Sequence, residues 1–189
     1  MTKNIFNTKE DNYNMDSFKA LVQQRRSHRA FTDEGIHPDD VKLILRAALM
    51  SPTSKGCRSW HFVVVDDKVL IEKLSDAKDL GGQFLKKAPL AIVVLGHPME
   101  NDCWVEDCSI AAISMQYQAE DLGLGSCWAQ IKNRGLSDGT TADEVIHGIL
   151  DIPQELSVLC VVGFGHKAKE RKLQDEEALK WENVHINQF

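Results

Sequence analysis

Three arginines and a serine form the densest group of potential ligand-binding residues in the chain. Arg25, Arg26 and Arg29 lie close together in sequence, with Ser27 between them. Guanidinium groups this close repel one another, and their planar donors suit a phosphate or a carboxylate, so the cluster predicts an anion site. The same arginines could also be solvated cations at a helix C-terminus, where they would offset the helix dipole.

A second basic cluster follows the last apolar run of the sequence. Lys167, Lys169, Arg171 and Lys172 come directly after residues 163–165, Gly-Phe-Gly. A basic loop at the carboxyl end of a strand is a common position for anionic ligands in α/β proteins. A solvated basic segment is the alternative.

Motifs for other chemistries are absent from the sequence. The glycines at 163 and 165 lack a third glycine and a following helix, and those at 123 and 125 follow a helix instead of a strand. Neither pair therefore matches the dinucleotide fingerprint, and there is no Walker A loop, Gly-x-Ser-x-Gly elbow or His-Glu-x-x-His pair. We expect no side-chain nucleophile and no metal site. Cys57, next to Arg58, could be an activated thiol or an inert one.

Composition limits the class of protein and its partners. The 189 residues are 43% hydrophobic and 26% charged, as in an ordinary globular domain, and 22 basic against 28 acidic residues give a net charge of -6. This balance predicts no nucleic-acid partner. An odd number of cysteines, with no signal-peptide pattern and no membrane-length apolar run, predicts a cytoplasmic protein without a membrane partner.

Apolar runs indicate three strands. Residues 61–65, 90–96 and 157–165 are almost continuously apolar and rich in β-branched side chains. Unbroken apolar character, in place of alternation, predicts that both faces of these strands are covered. Three runs alone leave the strand order open.

Helical spacing appears in four places, and the longest stretch has unusual composition. Residues 102–122 predict a helix whose middle, 108–119, has no charged side chain. A helix without a charged face is buried all round, either in a core or at a subunit interface. Shorter helices are predicted from Phe18, from Asp39 to Leu49, and over 142–150 with Thr140 or Thr141 as cap. Together the patterns predict an α/β or α+β sandwich.

Four segments, in this order, resemble the nitroreductase-like family of FMN-dependent oxidoreductases. Residues 25–29 resemble its Arg-Arg-Ser-x-Arg, and residues 51–62 are similar to its Ala-Pro-Ser-x-x-Asn-x-Gln-Pro-Trp-His-Phe. Residues 122–128 are similar to its Leu-Gly-Leu-Gly-x-x-Trp, and residues 163–172 to its closing glycine-containing strand end and Lys-x-Arg.

The resemblance implies a fold and a domain division. We expect a homodimeric α+β protein with a central, mostly antiparallel sheet flanked by helices and a long buried central helix at the dimer interface. Residues 1–14 would be a polar N-terminal arm, 15–175 the FMN-binding domain, and 176–189 a C-terminal extension that could reach the partner subunit.

The resemblance also implies which residues hold FMN. Arg26 would reach the phosphate or the ribityl chain, and Arg29 the pyrimidine edge at N1/O2, where a cation raises the two-electron potential. The other implied contacts are Arg25, Ser27, Lys169 and Arg171 at the phosphate; Pro52, Thr53, Ser54 and Gly56 at the isoalloxazine of the opposite subunit; and Trp128, Ala129 and Gln130 near N5.

The function implied by the resemblance is transfer of two electrons by ping-pong from NAD(P)H to a nitroaromatic, quinone or similar conjugated acceptor. Gly56, Arg58 and Ser59 replace the Asn, Gln and Pro of the family pattern, which leaves the acceptor open, and nothing in the sequence separates NADH from NADPH. The alternatives are a specialised flavoprotein of the same fold, for enone reduction or dehalogenation, and a non-catalytic flavin-binding redox sensor.

Overall fold

A four-stranded sheet forms the centre of the fold, and helices cover both of its faces. The computed structural model describes residues 17–189, so the arm predicted for residues 1–14 lies outside it. Every neighbouring pair of strands is antiparallel, in the order β1-β2-β4-β3, which confirms the predicted α+β class. The elements are α1 Phe18–Gln24, α2 Pro38–Leu49, β1 Trp60–Val65, α3 Lys68–Ser75, β2 Leu90–Gly96, α4 Trp104–Asp121, β3 Leu124–Gln130, α5 Ala142–Leu150 and β4 Ser157–His166.

Burial follows the position of each strand in the sheet. All seven residues of β2 are buried, and β4 is buried except at its two ends. Strand β1 lies at an edge of the sheet, and His61 and Val64 are exposed there. The prediction that all three apolar runs are covered on both faces is therefore wrong for β1.

Two elements were not predicted from the sequence. Strand β3 contains Gly125 and Ser126, which have low strand propensity, yet it pairs with β4 over its whole length. Helix α3 is short, with only eight residues. It begins where the Asp67 carboxylate accepts hydrogen bonds from the N–H groups of Val69 and Leu70 at 2.8 and 2.9 Å.

Each face of the sheet carries one hydrophobic core. Helices α2 and α4 pack on one face, around Ile44, Met115 and Phe164. Helices α3 and α5 pack on the other, around Ile71 and Ile146. Side chains alternate along a strand, so β4 contributes to both cores. The sheet is the middle layer of the protein.

Helix α4 is the longest helix, and it is not buried all round within one chain. Cys108, Ala112 and Met115 are fully buried on the side that faces the sheet. On the opposite side Ile110 is 37% exposed and Tyr117 is half-buried. The uncharged stripe therefore remains partly open to a partner. Residues 17–189 contain no helix with the length and apolar character needed to cross a bilayer.

Helix α5 begins at one of its two predicted caps, and α1 also begins at a residue whose side chain caps it. The Ser17 hydroxyl accepts a hydrogen bond from the Ala20 N–H at 3.2 Å at the start of α1. At the start of α5, Thr141 and Glu144 form a reciprocal capping box. After β4 the chain carries two short 3-10 turns, and residues 168–189 are exposed.

Candidate ligand site at the open edge of β3

The arginine cluster lies along the side of β3 that faces away from β4, which we call the open edge. Ser27 and Ser126 form an isolated parallel bridge, and the His28 N–H donates to the Ser126 carbonyl at 2.9 Å. Farther along, the Thr32 N–H donates to the carbonyl of His166, the last residue of β4, at 3.0 Å. The backbone of residues 25–32 is thus fixed against the ends of two strands.

The two basic clusters meet at this edge. Arg171 Nη1 donates to the Ser27 carbonyl at 3.3 Å, across 144 positions of sequence. The Ala168 N–H donates to the Ala30 carbonyl at 3.2 Å. A cavity of about 390 Å³ opens between the clusters, and its lining contains three cations and one carboxylate: His28, Arg29, Ala30, Lys169, Glu170 and Arg171. The cavity is therefore suited to an anion.

The side chain of Arg26 binds backbone carbonyls of the chain itself. Its Nη1 atom donates to the carbonyls of Lys172 and Leu173 at 2.8 and 3.1 Å. These bonds fasten the segment after β4 against the arginine cluster. Contact of Arg26 with a phosphate or ribityl group remains a prediction.

A buried ion pair lies beside His28, one of the residues that line the cavity. Lys167 Nζ lies 2.7 Å from Glu120 Oε1, and both side chains are almost fully covered. His28 packs beside them, and burial lowers its pKa, with a further lowering by Lys167. Gly125 makes this packing possible, because a Cβ there would lie 2.9 Å from the His28 Cβ.

The open edge presents backbone donors as well as cations. The His28 bond to Ser126 fixes which residues of β3 point outward, because N–H and C=O groups alternate along a strand. Trp128 and Gln130 point the same way as Ser126, whereas the Ile131 N–H turns inward to the Leu159 carbonyl at 3.1 Å. The Trp128 and Gln130 N–H groups therefore face away from the sheet.

Side chains around the same residues are ordered by hydrogen bonds. Trp128 Nε1 donates to Gln130 Oε1 at 2.9 Å, and Gln130 Nε2 donates to the Lys132 carbonyl at 3.0 Å. Ala129 is buried in the core on the α3 side. Of these three predicted site residues, Trp128 and Gln130 can reach the open edge, whereas the backbone groups of Ala129 face β4 and its side chain lies in the core.

The groups that shift the pKa of Cys127 indicate where the arginines lie along the strand. Burial raises the pKa of its thiol, while Arg29, a hydrogen bond with Ser27 and Arg25 each act in the opposite direction. The net shift is upward, so this thiol is protonated at neutral pH. Arg25, Ser27 and Arg29 are thus gathered beside the middle of β3.

A buried lysine lies at the far end of the open edge. Lys78 is only 6% exposed, and its Nζ atom donates to the Gln130 carbonyl at 2.7 Å. Burial lowers the pKa of Lys78, and Arg134 lowers it further. Lys78 follows α3 in a stretch without helix or strand pattern, so the sequence offered no signal for it.

The loop that carries Pro52, Thr53, Ser54 and Gly56 is anchored to α4. The Ser54 N–H donates to both carboxylate oxygens of Asp107, at 2.9 and 3.1 Å. The Arg58 N–H donates to Thr53 Oγ1 at 3.1 Å. Asp107 is buried, and its partner Asn101 donates to it at 2.7 Å. The Ser54 and Asn101 bonds run to Asp107 of α4, the Arg58 bond lies within the loop, and none of them reaches the cavity between the basic clusters.

Backbone conformation explains one departure from the family pattern. Lys55, Gly56 and Arg58 have φ values of 52°, 68° and 52°, all in the left-handed region. Glycine adopts this region freely and asparagine tolerates it better than most residues. Gly56 in place of the family's Asn therefore keeps the turn while it removes a side-chain amide.

The comparisons agree with this architecture. The sequence profile of the Nitroreductase family matches residues 22–78 and 72–166. A solved structure described as an FMN-dependent nitroreductase from Clostridium difficile R20291 is 44% identical, covers 89% of this chain and 98% of its own, and superposes with a TM-score of 0.88.

Two curated proteins are similar to this chain over most of their length. A protein of Archaeoglobus fulgidus, provisionally named as an NADH dehydrogenase/NAD(P)H nitroreductase, is 32% identical over 167 residues, which are 86% of this chain and 92% of that protein. The 5,6-dimethylbenzimidazole synthase of Rhodospirillum rubrum is 24% identical over 198 residues, 89% of this chain and 90% of that protein.

The fold and the site define an α+β protein with a cationic cavity at the open edge of an antiparallel sheet. The profile match extends over most of the chain, and the relative from Archaeoglobus fulgidus is similar over nearly its whole length. The chain belongs to the Nitroreductase family.

Proposed function

We propose that the chain is a homodimeric, cytoplasmic, FMN-dependent oxidoreductase. It would pass two electrons by ping-pong from NAD(P)H to a nitroaromatic, quinone or similar conjugated acceptor. The observation that carries the proposal is the meeting of two sequence-distant basic clusters beside a strand edge with outward N–H groups. The name of the Clostridium difficile structure supports FMN as the ligand.

The residues at the edge fit the parts of FMN. Its phosphate carries nearly two negative charges, and Arg25, Lys169 and Arg171 supply cations with fork-shaped or point donors. Ser27 adds a hydroxyl between the arginines. The chain is acidic overall, so a concentration of positive charge at one cavity selects for an anionic group.

The remaining contacts concern the planar ring. The outward N–H groups of Trp128 and Gln130 can donate to ring acceptor atoms, and the Gln130 N–H would hold N5. Arg29 would face the N1/O2 edge, between the phosphate and the ring. When bound, FMN accepts a hydride and gives up two electrons, so no side-chain nucleophile is needed.

A homodimer accounts for surfaces that one chain leaves open. Phe18 is 68% exposed although it stacks edge-on against Tyr117 of α4, with ring centroids 5.4 Å apart. A cavity of about 630 Å³ lies between α1 and α4. We propose that a second copy covers this stripe, that residues 176–189 lie across it, and that the loop from Pro52 to Gly56 reaches the partner's ring.

The loop also bears on the acceptor. The loop is anchored through Asp107, while the side chains of Lys55 and Arg58 are exposed. Two exposed cations near the ring would favour acceptors with a carboxylate or another anionic group over neutral ones. A specialised flavoprotein of the same fold, or a redox sensor without turnover, remains the alternative function.

The first experiment is spectroscopic. After FMN is added and the unbound FMN removed, the protein should show the visible absorbance of bound flavin. NADH or NADPH should then bleach this absorbance within the time of one turnover. Menadione or nitrofurazone should then restore the colour. Protein that carries no flavin colour after removal of unbound FMN contradicts the proposal. Protein that binds FMN but is never bleached by NAD(P)H would be a binding module.

Matched variants assign the effect to the edge. Arg29→Ala should weaken FMN affinity about tenfold or more, because it removes a charge-assisted hydrogen bond. Arg46→Ala, an exposed arginine on α2, should leave affinity unchanged. Light scattering should give twice the mass of one chain, and a monomer that binds FMN as tightly would remove the shared-site arrangement.

A further inference from the structure

Lys78 is a buried cation without a counter-charge in the described part of the chain. Within residues 17–189 no carboxylate forms an ion pair with it, and its acceptor is the neutral carbonyl of Gln130. An ammonium has three N–H donors, so two of them lack a protein acceptor among these residues. Burial of a charge with so little compensation is costly unless another group shares the site.

The position of the lysine is fixed by the backbone around it. A Cβ on Gly82 would lie 2.5 Å from the Ser75 carbonyl oxygen and 3.5 Å from the Lys78 Cε, so the chain closes tightly around the lysine stem. The Asp79 N–H donates to the Gly135 carbonyl at 3.4 Å. The ammonium is therefore held against the end of β3 and cannot swing out to solvent without displacing this segment.

This place is next to a free donor of the open edge. The N–H and C=O groups of an extended residue point to the same side of the strand. Because Lys78 occupies the Gln130 carbonyl, a ligand atom that accepts from the Gln130 N–H must lie beside the Lys78 ammonium. A ligand at this edge consequently meets one backbone donor and one buried cation together.

Charges along the strand form a row. Arg25 and Arg29 lie close to Cys127, and Lys78 contacts Gln130 farther along the same strand. Arg134 is also close enough to lower the pKa of Lys78. Arg25 would meet the phosphate at one end of this strand edge, so Lys78 at the other end would lie beside the planar end of the same ligand.

We propose that Lys78 is a positioning residue that makes the site bind the reduced form of its ligand more tightly than the oxidised form. The inference rests on the proposed function, because a planar N-heteroaromatic ligand that takes up a hydride gains one negative charge, which is delocalised over the ring whose edge the Gln130 N–H would bind next to Lys78. The lysine holds the Gln130 peptide in place, and its fixed charge favours that added electron density. It takes no part in bond making or breaking.

The test compares Lys78→Met, Lys78→Arg and Lys73→Met in the full-length, FMN-loaded protein. Lys73 is an exposed lysine in the last turn of α3, shortly before Lys78, so its substitution is the matched control. FMN affinity is measured by quenching of flavin fluorescence, and the midpoint potential by equilibration with reference dyes. Thermal unfolding of each apoprotein reports whether the variant folds.

The expected result separates charge from packing. Lys78→Met should fold, and its affinity for the reduced ligand should fall about tenfold relative to the oxidised one, a drop of about 30 mV for a two-electron couple. Lys78→Arg should keep most of the wild-type potential because it keeps the charge, and Lys73→Met should match wild type.

The outcomes also distinguish the inference from the function beneath it. If wild type binds FMN and the potential of Lys78→Met equals that of Lys73→Met, the role of Lys78 is wrong and the proposed function stands. Failure of wild type to bind FMN sinks both. Should Lys78→Met not fold, equal potentials for Lys78→Gln and wild type would overturn the inference in the same way.

Discussion

Lys167 Nζ lies 2.7 Å from Glu120 Oε1, with 11% and 6% of the two side chains exposed. The pair ties the end of α4 to the residue that follows β4. It lies beside Gly125 and His28, and His28 lines the cavity between the basic clusters. The buried ion pair therefore connects the long helix α4 to the basic loop after β4.

Loss of one member of this pair should destabilise the protein strongly. Glu120→Gln leaves the Lys167 ammonium buried without a counter-ion, so the free energy of unfolding should fall by about 3 kcal/mol or more. Urea denaturation measures the change. Lys180→Met, which breaks the exposed pair with Glu182, should cost about 0.5 kcal/mol or less. Similar losses in both variants would show that burial of the pair is unimportant.

The close approach at Gly125 predicts a second effect on stability. Gly125→Ala places a Cβ 2.9 Å from the His28 Cβ and 3.1 Å from the Lys167 side chain, so residues 25–29 must shift. We expect a loss of about 1 to 3 kcal/mol, read from thermal unfolding. Gly148→Ala has open space in α5 and should gain about 0.5 to 1 kcal/mol. A neutral Gly125→Ala would mean that the segment yields easily.

His28 should make the protein sensitive to acid. Burial and Lys167 lower its pKa below the ordinary 6.5, while Glu120 and Glu170 act the other way and Arg171 again lowers it. In the window between the lowered pKa and 6.5 the unfolded chain binds the proton more readily, so stability rises with pH and falls on acidification. His28→Gln should flatten this slope in urea titrations from pH 7 to pH 5, and the exposed His61→Gln should not. An unchanged slope for His28→Gln contradicts the prediction.

The anchor at Asp107 should control the loop from Pro52 to Gly56. Asp107→Asn removes the charge that holds the Ser54 N–H and the Asn101 amide, so the Ser54 amide should exchange hydrogen about tenfold faster or more. Amide exchange by NMR or mass spectrometry measures this locally. Asp121→Asn at the exposed end of α4 should leave the Ser54 rate unchanged. Equal rates in both variants would place the loop's order elsewhere.

Continuous apolar patterns made most of the fold predictable. Strands β2 and β4 are uninterrupted apolar runs, and the central helix follows ordinary helical spacing. Strand β3 escaped because its Gly and Ser residues carry no strand signal. Its pairing is determined by β4, which lies far away in sequence.

The candidate site was predictable only where charge clustered in sequence. Arg25 to Arg29 and Lys169 to Arg171 stand out in an acidic chain, and the structure places Arg29, Lys169 and Arg171 around one cavity. Lys78 and Asp107 do not stand out, because a single lysine or aspartate is normally solvated. Their burial depends on tertiary contacts that no local pattern encodes.

The strand order has a consequence for biosynthesis. Strand β4 lies between β2 and β3, yet it is the last strand that a ribosome delivers. Strand β1 and strand β2 can pair early, whereas β3 must wait with unpaired backbone groups until residues 157–166 have emerged. A nascent chain halted before that point exposes a template for association with other chains. A ligand that binds at the open edge of β3 consequently requires that β4 has been synthesised first.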